Sequence, residues 1–157
     1  MSKVEIVEIK DQIVIGLRNT GEYSKLIPEQ LGRLYMYTQE NRIEIVGAPT
    51  FVCHEKTHED ACEAIKNKNA DVESCVPIAK MVEVKGDFKC YELKGGKFAK
   101  ITHKGPYDKC EPAYCKLFEW VKKNKKEING CIREVYLNDP REVKPNEVLT
   151  NILYPIK

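Results

Sequence analysis

The chain has 157 residues, with 26 Lys and Arg against 24 Asp and Glu and a formal net charge of +2. Its length is typical of a single domain, and the balanced charge argues against the basic face of a nucleic-acid-binding protein. The sequence contains no apolar stretch of about 20 residues and no apolar run after Met1-Ser2-Lys3, so we expect neither secretion nor membrane association. The seven cysteines then indicate reduced thiols in a cytoplasmic protein, where they serve as small hydrophobic residues.

The sequence aligns with itself at an offset of 84 residues. Gly21 then falls on Gly105, Tyr23 on Tyr107, and Pro28 on Pro112. An internal repeat of this length determines how the remaining segments are interpreted. We therefore expect a single domain over residues 1–157, built from pseudo-repeats at about residues 3–81 and 88–157, each a strand-helix-strand-strand unit.

Strand-like patterns of apolar residues define the predicted sheet. They cover residues 3–9, 12–19, 50–53 and 71–81 in the first repeat, and 90–103, 131–137 and 147–156 in the second. Gly95-Gly96 interrupts the long segment at 90–103, and Pro77 is expected at an edge or a bulge. Short connections between strands favour antiparallel pairing, with the helices on one face of the sheet.

Two main helices are predicted to begin at Pro28 and Pro112, because the missing N–H of proline costs least at the first helical position. The apolar faces of these helices follow a spacing of three and four residues. They comprise Leu31, Leu34, Tyr35 and Thr38 in the first helix and Tyr114, Leu117, Phe118 and Val121 in the second. Tyr35 is accordingly expected in the core. The helices are expected to end at Asn41 and at Asn129-Gly130.

An insertion at residues 55–70 has no counterpart in the second repeat. Thr57 begins a capping-box pattern, and Asn67-Lys68-Asn69 is expected to end the short helix that follows. His54, His58 and Cys62 are spaced by four residues, which would align them as metal ligands on one helix. Because the helix is expected to start near Thr57, His54 falls outside it, and no metal or cofactor is expected.

Three segments carry a family resemblance: THKGPY at 102–107, EVYLNDP at 134–140 and TNILYPI at 150–156. In this order, and with Trp120 between the first two, they resemble the gyrase-inhibitor-like (GyrI-like) family over nearly the whole chain. The resemblance implies an α+β fold in which duplicated units form a curved antiparallel sheet. It also implies two main helices on one face and a central pocket at the seam for amphipathic, often cationic, small molecules.

An acidic residue at the floor of that pocket maps by motif onto Glu134. On a strand, Glu134 shares a face with Ile132 and Tyr136, which suggests a partly enclosed carboxylate with a raised pKa. An enclosed carboxylate could oppose the charge of a cation. The alternative is that Glu134 lies on a solvated strand face and has no such role. Ligand contacts are predicted for aromatic and soft side chains, although core packing is an equally good interpretation for each: Tyr136, Tyr107, Trp120, Tyr154, Phe51, Met36 and Tyr37. His103 is expected to tie the end of its strand to the following turn.

The leading hypothesis is a binding protein for an amphipathic small molecule. The first alternative is a hydrolase for strained electrophilic molecules, in which Glu134 would be the catalytic residue that activates water. The second is a protein-interaction role such as gyrase inhibition, which the family name suggests. The sequence specifies neither the ligand nor the oligomeric state.

Overall fold

The computed structural model describes residues 2–157, which form eight strands and three α-helices. In chain order these are β1 (Glu5–Ile9), β2 (Gln12–Gly21), α1 (Tyr23–Glu40), β3 (Thr50–Cys53), α2 (His58–Asn67), β4 (Ala70–Pro77), β5 (Lys89–Leu93), β6 (Gly96–Lys104), α3 (Glu111–Lys123), β7 (Arg133–Tyr136) and β8 (Leu149–Ile156). The elements divide between two compact units. Unit 1 contains residues 2–10 and 95–157, and unit 2 contains residues 11–94.

Unit 1 has a four-stranded antiparallel sheet in the order β1-β6-β8-β7, with α3 packed on β6 and β8. Its core contains Ile101, Leu117 and Ile152, all fully buried. Two rows of residues cross β6, β8 and β7. Ile152 lies opposite both Ile101 and Glu134, and Thr150 lies opposite both His103 and Tyr136.

Unit 2 has the matching arrangement, with strand order β3-β4-β2-β5 and α1 packed on β4 and β2. Leu17 and Leu34 are buried at the centre of its core. The expected α+β class and antiparallel pairing are therefore confirmed, and each unit contains one main helix. Pro77 ends β4, beyond the residues of that strand that pair with β3.

The first strand of each repeat pairs with a strand of the other repeat. It therefore belongs to the unit that contains the rest of that other repeat. β1 pairs with β6, Glu5 lying opposite Lys100, whereas β5 pairs with β2, Leu93 lying opposite Gln12. The self-alignment locates both strands but contains no information about this exchange, since pairing partners are set by tertiary contacts.

The predicted helix boundaries were wrong at two ends. α1 begins at Tyr23, and Pro28 lies inside it, although a proline removes one backbone hydrogen bond from a helix interior. Packing of the helix against its sheet outweighs that local cost. α3 contains Pro112 in its first turn as expected, but it ends at Lys123, and Asn124 caps it by donating a side-chain hydrogen bond to the Trp120 carbonyl at 2.8 Å. Asn41 ends α1, as predicted.

The prediction for Tyr35 was wrong because the buried residues of α1 follow a spacing of four through Leu34, on the side of Gln30 rather than that of Tyr35. Gln30, Leu34 and Thr38 are buried, which leaves Tyr35 41% exposed. The predicted role of the cysteines as small hydrophobic residues holds for the buried Cys75 and is wrong for three exposed ones. These are Cys62, Cys115 and Cys131.

The insertion forms α2 as predicted. The Thr57 hydroxyl accepts the Asp60 backbone N–H at 3.0 Å, and Lys68 ends the helix in a left-handed conformation. Across the described residues, no helix is long and apolar enough to cross a membrane.

Candidate functional site

Glu134 accepts hydrogen bonds from two tyrosine hydroxyls in unit 1. Tyr136 lies two residues further along β7 and therefore on the same face, and its hydroxyl donates to Glu134 Oε1 at 2.9 Å. The Tyr114 hydroxyl, projecting from α3, donates to Glu134 Oε2. A strand and a helix thus hold the carboxylate from two directions. On the opposite face of β7, the Arg133 guanidinium lies 4.7 Å from the centre of the Phe98 ring.

The environment of Glu134 disfavours its negative charge. Burial raises the pKa of Glu134 above its ordinary value of 4.5, although the hydrogen bonds from Tyr114 and Tyr136 and the charge of His103 act in the opposite direction. Burial and the nearby carboxylate also raise the pKa of the Tyr136 hydroxyl. An ionised Glu134 therefore has less compensation than its desolvation requires, and a positive charge beside it would supply more.

Tyr107 and Cys110 lie on the segment that leads into α3. The Tyr107 ring packs edge-on against the Tyr136 ring at 5.1 Å and is 39% exposed, which makes Tyr107 the outermost aromatic residue of the group. Burial and then the charge of Glu134 raise the pKa of the Cys110 thiol to about 12. Cys110 is consequently a neutral thiol near the carboxylate rather than a nucleophile.

Tyr136 is also part of a row of opposite residues that crosses the sheet, formed by His103 on β6, Thr150 on β8 and Tyr136 on β7. His103 Nε2 lies 2.9 Å from the Pro106 carbonyl, which can only accept, so this nitrogen carries the hydrogen. The predicted role of His103 in tying its strand to the turn is thereby confirmed. Thr150 is only 2% exposed, and its hydroxyl oxygen has no hydrogen-bond partner among residues 2–157.

Two further predicted residues, Tyr154 and Trp120, pack around the same core. Tyr154 contacts the Phe118 ring at 5.6 Å, and Phe118 in turn contacts Tyr114 at 5.9 Å. Trp120 is partly buried against the hydrophobic cluster of unit 1. Tyr154 is therefore connected to Glu134 through two aromatic neighbours, whereas Trp120 contributes to the core.

The remaining predicted ligand residues belong to unit 2. Phe51 is buried edge-on against Tyr23 at 5.7 Å, and Tyr37 stacks on Phe88 at 4.1 Å. Met36 is 62% exposed on α1. Phe51 and Tyr37 thus pack against other aromatic residues of unit 2, and the contact of all three side chains with a ligand stays a prediction.

Sequence reasoning missed Tyr114 and Thr150 as site residues. Tyr114 was assigned to the apolar face of its helix, but a tyrosine hydroxyl on such a face requires a partner, which is a signal that could have been used. Thr150 carries no comparable signal, because threonine is common in strands and only the packing reveals that its hydroxyl is unpaired.

A second polar cluster lies in unit 2. Glu73, 8% exposed, accepts a hydrogen bond from the Tyr91 hydroxyl and contacts His54 Nε2 at 2.6 Å. His58 is paired differently, with its Nε2 3.5 Å from Cys62 Sγ. Within residues 2–157, no group of three or more His, Cys, Asp or Glu side chains could hold a metal ion. A polar cavity of about 410 Å³ lies beside α2, and His54 is part of its wall.

Comparison with protein families matches residues 2–157 to the GyrI-like small molecule binding domain. No curated protein sequence matches the chain. Among solved structures, the EcmrR C-terminal domain is 25% identical with a TM-score of 0.83, over 99% of this chain and 97% of that one. In the complex of EcmrR with DNA, the match has a TM-score of 0.84 at 24% identity, covers 99% of this chain and spans 57% of the longer chain.

Two more distant structures share the fold. The hydrolase encoded by lin2189 from Listeria innocua matches at 13% identity and a TM-score of 0.69, over 99% of this chain and 92% of that chain. SAV2435 bound to tetraphenylphosphonium matches at 10% identity and a TM-score of 0.62, over 99% and 94%. Since the family match extends from residue 2 to residue 157, the chain belongs to the GyrI-like small molecule binding domain family.

Proposed function

We propose that this protein binds an amphipathic organic cation in unit 1, with the Glu134 carboxylate as the counter-ion. The observation that carries the proposal is a partly buried carboxylate whose pKa is raised by desolvation and which accepts hydrogen bonds from two tyrosines. A cation beside Glu134 would offset the cost of its buried charge.

The aromatic surroundings suit a cation that is also apolar. Tyr107 and Tyr136 present ring surfaces next to the carboxylate, and aromatic faces attract cations while tolerating varied flat groups. Tyr107 is partly exposed, so a ligand could enter beside its ring and then be covered by it. SAV2435, which shares the fold, was solved with a lipophilic cation of this kind, tetraphenylphosphonium.

The test is calorimetric titration with tetraphenylphosphonium at about pH 7.5, where an ordinary carboxylate is ionised. We expect saturable binding that Glu134→Gln weakens at least tenfold, because the amide keeps the shape of the side chain and removes its charge. Tyr114→Phe should weaken binding a few-fold by loosening the carboxylate. Glu119→Gln, an equal charge change at an exposed position of α3, is the control and should bind as the unmodified protein does. Absence of binding, or equal binding by Glu134→Gln, would contradict the proposal.

A hydrolase is the second candidate, because the raised pKa of Glu134 suits a general base as well as a counter-ion. A carboxylate whose pKa is shifted toward neutrality is better suited to accept a proton from water than an ordinary one. Turnover of an activated cyclopropane that Glu134→Gln abolishes and Glu119→Gln preserves would select this function. Saturable cation binding without such turnover would select the binding function.

A further inference from the structure

The unpaired hydroxyl of Thr150 lies on the same sheet face as Glu134. Residues directly opposite one another in antiparallel strands share a face, so Thr150 shares the face of Tyr136. Glu134 is two residues from Tyr136 on β7 and therefore lies on that face as well. Glu134 and Thr150 are therefore diagonal neighbours on adjacent strands, with Cα atoms about 7 to 8 Å apart.

The neighbours of Thr150 in its row use their own hydrogens elsewhere. Tyr136 donates its hydroxyl hydrogen to Glu134, and His103 donates its Nε2–H to the Pro106 carbonyl. A hydroxyl buried without a partner loses its hydrogen bonds to water and receives nothing in exchange. Such groups are uncommon in native proteins and call for an explanation.

The repeat shows that the sheet does not need a hydroxyl here. His103 lies opposite Thr150, and the residue 84 positions before His103 is Asn19, which lies opposite Val72. Val72 is the equivalent of Thr150 in unit 2, and it is fully buried. A side chain of the same shape without a polar atom therefore packs well at this position of the fold.

We propose that Thr150 is a specificity-determining residue of the ligand site, whose hydroxyl bonds a polar group of the bound cation. The inference rests on the proposed function and narrows its ligand class to organic cations that carry a hydroxyl or carbonyl group about one side-chain length from the charge. The positive centre pairs with Glu134, and the polar group reaches Thr150 between His103 and Tyr136. A site with an unpaired buried polar atom discriminates more strongly than an apolar wall does, because the wrong ligand leaves that atom unpaired.

A matched pair of probes tests this inference: tetraphenylphosphonium and (4-hydroxyphenyl)triphenylphosphonium, which differ by one hydroxyl. We expect the unmodified protein to bind the hydroxylated cation at least fivefold more tightly. Thr150→Val should abolish this preference by weakening the binding of the hydroxylated cation to the level of tetraphenylphosphonium. Thr150→Ser, which keeps the hydroxyl, should retain most of the preference.

The outcomes separate the two proposals. If the unmodified protein binds neither cation, the proposed function fails and this inference fails with it. If both cations bind equally, or if the preference survives in Thr150→Val, only the inference is overturned. If Thr150→Val weakens the binding of both probes equally, the Thr150 hydroxyl bonds only an ordered water and not the ligand. That result would also overturn the inference. Thr150→Val should unfold at an equal or higher temperature, and a fall of several degrees would reveal an intramolecular role and overturn the inference.

Discussion

Units 1 and 2 have the same arrangement of strands and main helix but differ in the polar groups between the main helix and the sheet. Glu134 lies opposite Ile152 in unit 1, and its equivalent in unit 2 is Phe51, opposite Ser74. Where unit 1 has a carboxylate, unit 2 has a ring packed edge-on against Tyr23. The charge in unit 1 is therefore not required by the architecture.

The helix residues above these positions differ in the same sense. Tyr114 falls 84 positions after Gln30, which is 1% exposed. Gln30 donates to the Val72 carbonyl at 2.9 Å and to Asn19 at 3.1 Å, and it accepts the Ser74 hydroxyl at 2.7 Å. Unit 2 thus satisfies its buried polar groups internally. Unit 1 has a disfavoured charge at Glu134 and an unpaired hydroxyl, both of which a ligand could stabilise.

The largest effect is expected from breaking the closed network of unit 2. Gln30→Leu should lower the free energy of unfolding by about 3 kcal/mol, because the Ser74 hydroxyl and the Val72 carbonyl would lose a buried partner. Tyr114→Phe, its matched change in unit 1, should cost about 1 kcal/mol. Urea denaturation with circular dichroism measures both values. Equal losses would mean that the two networks are structurally equivalent.

Glu73 and Glu134, which both accept tyrosine hydrogen bonds, should respond to pH in opposite directions. Burial acts to raise the pKa of Glu73, but hydrogen bonds from His54 and Tyr91 outweigh it, so this pKa lies below its ordinary value of 4.5. Glu73 contributes stability above about pH 4.5, which is lost as the pH falls through its folded-state pKa. The pKa of Glu134 is raised, so its charge destabilises the fold at neutral pH, and that cost disappears as the pH falls toward 4.5.

Glu134→Gln should therefore be more stable than the unmodified protein at about pH 8, with a difference that vanishes near pH 4.5. Glu73→Gln should be less stable at about pH 8 and should lose less stability below pH 4.5. Urea unfolding at half-unit steps from about pH 8 to about pH 3 measures both profiles. A Glu134→Gln profile parallel to that of the unmodified protein would show that Glu134 has an ordinary pKa.

The smallest effect is expected at the surface, where the units should not differ. Arg18 bonds Asp71 in unit 2 at 2.6 and 2.8 Å, and Lys100 bonds Glu5 in unit 1 at 2.9 Å. Arg18→Gln and Lys100→Gln should each cost less than about 1 kcal/mol, since exposed ion pairs contribute little. In about 1 M salt both costs should shrink. A salt-independent loss at either site would mean that the pair is structurally more important than its exposure suggests.

Much of the fold could be predicted from the sequence because its local signals are strong. Alternation located the strands, the offset of 84 residues located both main helices, and Thr57 marked the start of α2. The start of α1 at Tyr23 could not be predicted, because a proline inside a helix is tolerated only when packing compensates for it.

The candidate site was predictable only in part. Glu134 and Tyr136 follow from strand alternation and a motif, and Tyr107 from its place in the repeat. Tyr114 and Thr150 depend on which hydroxyls find partners across the sheet and helix, and that information does not exist in the sequence pattern.

The position of β1 has a consequence for how the protein is made. Residues 11–94 are continuous in the chain, so all segments of unit 2 are synthesised one after another, whereas unit 1 combines residues 2–10 with residues 95–157. β1 is synthesised before β6 and cannot form its native pairing until β6 follows, because Glu5 pairs with Lys100. At about 5 to 20 residues per second, the delay is roughly 5 to 20 seconds. During that interval β1 lacks its native partner, and the charges of Glu5 and Glu8, at exposed positions of the strand, discourage association with other nascent chains.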